Sequence, residues 1–466
     1  MNQENTPAPL PVLTSSRFRR PFWIGLGAVA LILIGLGTFI YLVSVGVHMS
    51  NGWMTVAQTL PAEQKAARKQ GLPLQPEDLW RVPPVAPDKN AAVLYRRIDT
   101  LYRRDSEASR NEEGEALSEF LKRKTRDKRR RQVEGILRRR QKMIRLAQQA
   151  ANLTVCDYDR PWEQGFNTTF GELVTMRHLA RLFAASAILN KEIGKPEAAL
   201  QDVAYGAKIG VHAAQDRFLI AFLVRIALQA IMNQPFVEIL QKYGDNTEVL
   251  RLAEETQASF GATPNLRDCY LAENVMTLVQ METYRDPQVP TPNGISKATL
   301  PILNESTRSI QVDAWESRLI AFWRQMDSGI RDSGGNLRKG QMAWKRIMER
   351  ENKLSESPGY EMNALLVPVF DKVPEKTMLI EANYQLRNQM IALLQHRIKT
   401  QTFPQTLDIL PKGKRFFDPF NNEPLIYHKT TNGFILYSVG ANLKDNGGDE
   451  TRDKDKYQRD IVVRYP

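Results

Sequence analysis

Carboxylates and glycines crowd one short stretch near the C-terminus, Asn442-Leu443-Lys444-Asp445-Asn446-Gly447-Gly448-Asp449-Glu450. Calcium takes roughly six to eight oxygens, which closely spaced carboxylates and carbonyls opened by glycine can supply. The stretch lacks the Asp-x-Asp-x-Asp-Gly spacing and the closing Glu of an EF-hand. A solvated acidic turn, neutralised by Lys444, Arg452, Lys454 and Lys456, is the other reading of the same residues.

A second chemically marked segment runs from Lys122 to Arg145, where thirteen Lys and Arg face only Asp127 and Glu134. That segment's net charge of +11 nearly accounts for the whole chain's +12, so the basic character is local. Arg129, Arg130, Arg131, Arg138, Arg139 and Arg140 could hold anionic lipid headgroups or an acidic partner. A solvated helix face fits as well, because Val133, Ile136, Leu137, Ile144 and Ala147 recur at helical spacing and could pack inward. Nucleic acid fits poorly, since no aromatic residues interleave the basic ones for base stacking.

Catalytic signatures are missing. There is no Gly-x-Ser-x-Gly elbow, His-Glu-x-x-His, phosphate loop or dinucleotide fingerprint after a strand. The five histidines, His48, His178, His212, His396 and His428, form no metal pair at helical spacing. Glu172, Arg177 and His178 could surround a site or make a structural ion pair beside a half-buried histidine. Two cysteines, Cys156 and Cys269, exclude a cysteine-based zinc cluster and permit one disulfide or two buried thiols. A length of 466 residues with 42% hydrophobic and 25% charged is an ordinary globular mix, which sets aside collagen-like, wholly disordered and disulfide-scaffold classes.

The elements that must carry these residues begin with a membrane anchor. Residues 21–47 contain no charge, with Trp23 and Tyr41 near the ends where amphipathic rings prefer the interface. At about 1.5 Å per residue this run crosses a hydrocarbon core of about 30 Å. Arg17, Arg19 and Arg20 precede it and no Lys or Arg follows before Lys65. The positive-inside rule then makes 1–20 a cytoplasmic tail and puts the bulk outside a bacterial inner membrane, in the periplasm. The prolines of 48–87 predict a stalk. An all-α body is expected over 88–354, opened by a helix that Asp88 or Asn90 can cap. Within it, Phe218 to Met232 reads as a buried core helix because Arg225 interrupts it. The stretch 355–374, rich in Pro, Gly and Ser, reads as a linker.

The ending, 375–466, predicts a small α+β module: a helix over Met378–Lys399, then three strands in an antiparallel sheet, with Asn432-Gly433 turning the hairpin. Within the body, the hairpin signalled by Ala187, Gly194 and Ala199 resembles one tetratricopeptide unit. No second copy appears at the period of such repeats.

Phe403-Pro404, Asp418-Pro419, Pro424 with Tyr427, Tyr437-Ser438-Val439-Gly440-Ala441-Asn442 and Asp460-Ile461 occur in the order found in the major pseudopilin of type II secretion. The C-terminal module resembles that family over about 85 residues. The resemblance implies calcium in the loop before the last strand, with Asn442, Asp445, Asp449 and Asp460 as its ligands; Asn442 stands where pseudopilins usually have Asp. Pseudopilins join this module directly to a processed N-terminal helix. Here hundreds of residues intervene and the span has no carboxylate, so assembly into a pseudopilus is not expected. The whole layout also resembles membrane-anchored proteins of planctomycete-type bacteria, a likeness that implies no activity.

Three functions follow as expectations. The first is an outward-facing, non-catalytic interaction or scaffold protein, its tip stapled by calcium or by hydrogen bonds. The second is an accessory component of a type II secretion or pilus-like machine, contacting partners through the terminal sheet edge. The third is an envelope hydrolase with a site that no motif announces.

Overall fold

A computed structural model describes residues 51–286, 288–289, 305–354, 357–370, 372–449 and 460–466. The expected tail (1–20) and membrane span (21–47) lie outside the described residues. After a helical stretch at 51–57, the chain forms α1 (Leu60–Lys69), α2 (Ala91–Arg103), α3 (Glu107–Leu121), α4 (Arg126–Arg139) and α5 (Gln141–Ala151). Then come α6 (Glu172–Glu192), α7 (Pro196–Ala213), α8 (Leu219–Tyr243), α9 (Thr247–Ala258) and α10 (Leu271–Thr283). The order continues with α11 (Glu305–Asp332), α12 (Leu337–Leu354), α13 (Glu361–Phe370), α14 (Val373–Thr400), β1 (Ile426–Lys429), β2 (Phe434–Ser438) and β3 (Ile461–Tyr465). The protein is mainly helical with one small antiparallel sheet, ordered β1-β2-β3.

Short polar residues cap three of the helix starts. The Asn90 side chain accepts the Ala92 N–H at 3.0 Å, Ser106 accepts that of Ser109, and Asn246 accepts those of Glu248 and Val249. Each such cap is worth about 1 kcal/mol. Between α6 and α7 the chain turns at Gly194, whose φ of +80° suits glycine, and Pro196 opens the next helix.

The two largest of five apolar clusters among the described residues organise these helices. In the larger, α6, α7 and α8 pack successively on one another, with α2 to α5 and α9 against them. Val133, Ile136 and Ala147 of the basic segment are buried there, while Leu137 and Ile144 are partly buried against it. The second core gathers Ala67 and Leu72, the start of α8, and residues of α10 to α12 around stacked Tyr270 and Trp323. By length and composition α8 could cross a membrane, yet half of its most apolar window is buried inside the protein.

Of the stretch expected as a stalk, 48–87, the described part, 51–87, packs on the body. Trp53, Val56, Ala67 and Leu72 are buried, the Trp53 indole donates to Glu361 at 2.9 Å, and α1 lies along α11. Its prolines keep the helices short, while the apolar residues between them supply a face that buries. The expected linker 355–374 likewise contains α13. Cys156 and Cys269 are both free and buried, one in each core, so the packing holds them apart.

The terminal sheet has the expected strands. Phe434 pairs with Tyr465 across β2 and β3, their rings stack at 5.6 Å, and Phe403 meets both edge-on. A Cβ at Gly433 would run into the Tyr465 carbonyl oxygen, so the hairpin needs glycine for close backbone approach. The module shares the body's core: α14 packs on α8, α9 and α12 as well as on β2 and β3. Arg387 of α14 is buried, stacked on Phe260 at 3.9 Å and donating to Gln257 and Asn233.

Candidate functional site

The Asp-Pro turn before β1 gives the terminal module its wall on a cleft. Asp418 is buried and its carboxylate accepts the N–H groups of Phe420 at 2.9 Å and Val439 at 2.8 Å. Burial pushes its pKa up, against the pull of these donors. The turn is thereby locked and presents Phe417, 56% exposed, toward the helical body. Opposite stand the α11–α12 turn, where Gly334 and Gly335 take φ of +58° and +83°, and the Thr263-to-Arg267 segment. The floor is Glu381 and Gln385 of α14, one helical turn apart. Glu381 accepts from Thr263 and from Gln385.

Together these segments enclose a cavity of about 700 Å³. Its lining mixes Leu266, Ile330, Leu337, Phe417 and Pro419 with the ionisable Arg267, Arg331, Glu381 and Asp418, an apolar surface with placed polar groups of the kind small-molecule and peptide sites use. Arg338 donates to the Asn421 carbonyl at 2.8 Å and ties α12 to the module at the rim. Asp418-Pro419 is legible in the sequence as part of the terminal module; the facing Ser333-Gly334-Gly335-Asn336 turn carries no local signal of a site, because only the fold brings it across.

The polar residues that attracted attention in the sequence serve elsewhere. Glu172, Arg177 and His178 do not converge: Glu172 pairs with Arg160, His178 turns to Glu113, and Arg177 is exposed. Glu113 lies in the core, accepting His178 Nε2–H at 2.8 Å and both Arg140 contacts at 2.7 and 3.0 Å. Burial raises its pKa, but the His178 and Arg140 hydrogen bonds outweigh this and pull it to about 2. Arg160 is sandwiched between the rings of Tyr158 and Phe170 and bound to Asp216. Burial lifts Asp216 to about 6 despite that arginine.

The basic segment splits into α4 and α5 at Arg140. Arg140 is buried on Glu113 and Asp105, which removes it from any anionic-surface set. Arg130 pairs with Glu134 and Glu192, Arg129 donates to Gln132, and exposed Arg139 lies 3.7 Å from Glu113. Arg131 and Arg138 are exposed. Arg126 grips Glu238 of α8 through two 3.0 Å contacts, joined by Lys191 and Arg123. Sequence patterning showed the cations but could not show that their counter-charges, Glu113, Glu192 and Glu238, stand on other helices.

Asn442, Asp445, Asp449 and Asp460 come to one loop. Among the described residues, no three or more His, Cys, Asp or Glu group as a cation shell. Asp460 accepts the N–H groups of Asn446 and, at 2.8 Å, Gly448; Asp445 Oδ1 accepts the Tyr437 hydroxyl and the Gly447 N–H. Asn442 accepts from Lys444 and donates to Asn446, and the Asp449 carbonyl accepts the Asp460 N–H. Calcium needs oxygens facing a common point. In this arrangement the Asp445 and Asp460 carboxylates accept N–H and O–H donors. Arg452, Lys454 and Lys456 lie outside the described residues.

Comparison with protein-family models, with curated proteins and with solved structures returns no match to this chain.

Proposed function

We propose that this chain is a membrane-tethered, outward-facing binding protein that receives a partner's segment in the cleft between its helical body and its terminal module. The observation that carries the reading is the cavity of about 700 Å³ assembled from four separated segments, 263–267, 330–337, 381–385 and 417–422. A cavity of this size and mixed lining suits a short, largely apolar segment. The groups with shifted pKa that sit away from it, Glu113, His178, Asp202, Asp216 and Glu238, are engaged in core hydrogen bonds. Such networks serve packing, which favours binding over hydrolysis. The uncharged run at 21–47 with its preceding arginines supports the tether and the periplasmic side. Hydrogen bonds around Asp460 and Asp445 are the staple we assign to the tip.

A photo-crosslinking amino acid at Phe417 tests the site in intact cells. The expected result is a discrete adduct absent when the same group replaces Val174, an exposed residue of α6 far along the chain. Identical adduct patterns at both positions would refute the cleft as a docking site. Protease added to spheroplasts tests the orientation separately, and the bulk of the chain should be digested.

A further inference from the structure

We infer that a second cavity, on the far side of Arg267 from the cleft, is a binding site for a small dianionic oxyanion of the phosphate monoester class. The cavity measures about 410 Å³ and is lined by Arg68, Arg217 and Arg267 with Asp78, over apolar walls that include Leu72 and Leu79. Three guanidinium groups line it against one carboxylate, and with Arg267 paired to Asp327 the surplus positive charge rests on Arg68 and Arg217. Arg267 is fixed: its Nε meets Asp327 at 2.6 Å and its Nη2 donates to the Gly71 carbonyl at 2.9 Å. The exposed side chains of Arg68 and Arg217 make no hydrogen bond or ion pair among the described residues, so their donors are available. Asp78 is held away from them by accepting the N–H groups of Leu74 and Gln75.

Arg217 stands out for its backbone as well. Its φ is +55° and ψ +32°, a left-handed conformation that costs a non-glycine residue roughly 1 kcal/mol. That conformation lets its carbonyl accept the Ala272 N–H at the start of α10. Glycine would meet the backbone requirement without strain. The side chain present is instead a guanidinium lining a cavity with two others, and strained positions cluster where ligands are held. Guanidinium forks suit phosphate oxygens, each presenting paired N–H groups to two of them. The leucine walls leave room for an organic group on the ester, while the charge surplus matches a dianion over a carboxylate monoanion.

Calorimetric titration of the full chain in neutral detergent tests the assignment, with inorganic phosphate, glucose 6-phosphate and acetate as probes at matched ionic strength. Saturable one-to-one binding of phosphate or the ester is expected, with acetate at least tenfold weaker. Arg68→Gln and Arg217→Gln should each weaken binding at least tenfold, whereas Arg346→Gln, an equal loss of charge at an exposed position of α12, should leave it within twofold. Neither Arg68 nor Arg217 supports the core, so both variants should fold as the parent does. Absence of saturable heat, equal affinity for acetate, or unchanged affinity in both variants would overturn the site. The cleft's crosslink at Phe417 does not depend on Arg68 or Arg217, so the two proposals fail independently.

Discussion

Replacing Glu238 by Gln should loosen the basic segment from the rest of the molecule. Glu238 is 4% exposed and holds Arg126 and Lys191, each 11% exposed, with Arg123 at the margin. Glutamine keeps the shape and removes the charge, leaving Arg126 with Glu192 at 4.0 Å and depriving Lys191 of its carboxylate. Removing one partner of a buried ion pair costs about 3–5 kcal/mol, and since the amide oxygen can still accept one hydrogen bond, about 3 kcal/mol is expected. Arg126→Gln should cost less, about 1–2 kcal/mol, because Lys191 and Arg123 still neutralise the carboxylate. Arg123→Gln, at a mostly exposed position, should cost under about 0.5 kcal/mol. Burial works to raise the Glu238 pKa, but the Arg126 and Lys191 hydrogen bonds outweigh it and hold the group below its ordinary value of 4.5. Its contribution is therefore complete above that value and lost as pH falls toward the folded-state pKa, so variant and parent should converge in acid. Urea unfolding of the full chain followed by tryptophan fluorescence gives the energies, and hydrogen exchange should show α4 opening first. A loss below about 1 kcal/mol for Glu238→Gln, or a larger loss for Arg126→Gln, would refute the reasoning.

Three further outcomes follow from the same packing. Asp202 is buried, and burial raises its pKa to about 6 although Ser186 and Asn190 both donate to one of its oxygens. The folded state then holds the proton more tightly than the unfolded, and stability falls as pH rises from about 4 to about 6. Asp202→Asn should gain about 2 kcal/mol at neutral pH, with the gain vanishing near pH 4 in parallel urea titrations. Gly433→Ala forces a methyl group onto the Tyr465 carbonyl and should cost about 1–3 kcal/mol, read as faster exchange of the β2 and β3 amides. A tip closed by hydrogen bonds should melt at the same temperature in chelator and in about 5 mM calcium, well above the range of weak extracellular sites. A clear calcium-dependent rise would show that the cation closes the tip instead.

The elements were easier to read in the sequence than their assembly. Asn90, Gly194, Pro196 and Asn432-Gly433 act within a few residues of themselves, through caps and turns, and the helices and the hairpin stand where those signals put them. Prolines at 61, 73, 76, 83, 84 and 87 carried no such certainty, since a proline restricts its own backbone but not the burial of Trp53 or Leu72 beside it. The candidate site was legible only in halves. Asp418-Pro419 announces a locked turn, whereas Glu381, Arg267 and Gly334 meet it through contacts spanning up to about 150 residues, which no local pattern encodes. The arginines of α4 misled in the same way, because a charge count along the chain cannot see Glu238 a hundred residues later.

Helix α14, 28 residues and so about 42 Å long, buries half of its residues along its length. Met378, Leu386, Met390 and Leu394 are wholly enclosed, some by the sheet and others by helices from the middle of the chain. A fragment cut loose at Pro374 would therefore carry an oily spine into water and clump, and the ending cannot be grafted onto another protein as a ready-made cassette. Whatever grips the tip pulls directly on the body, since both are strung on one rigid rod.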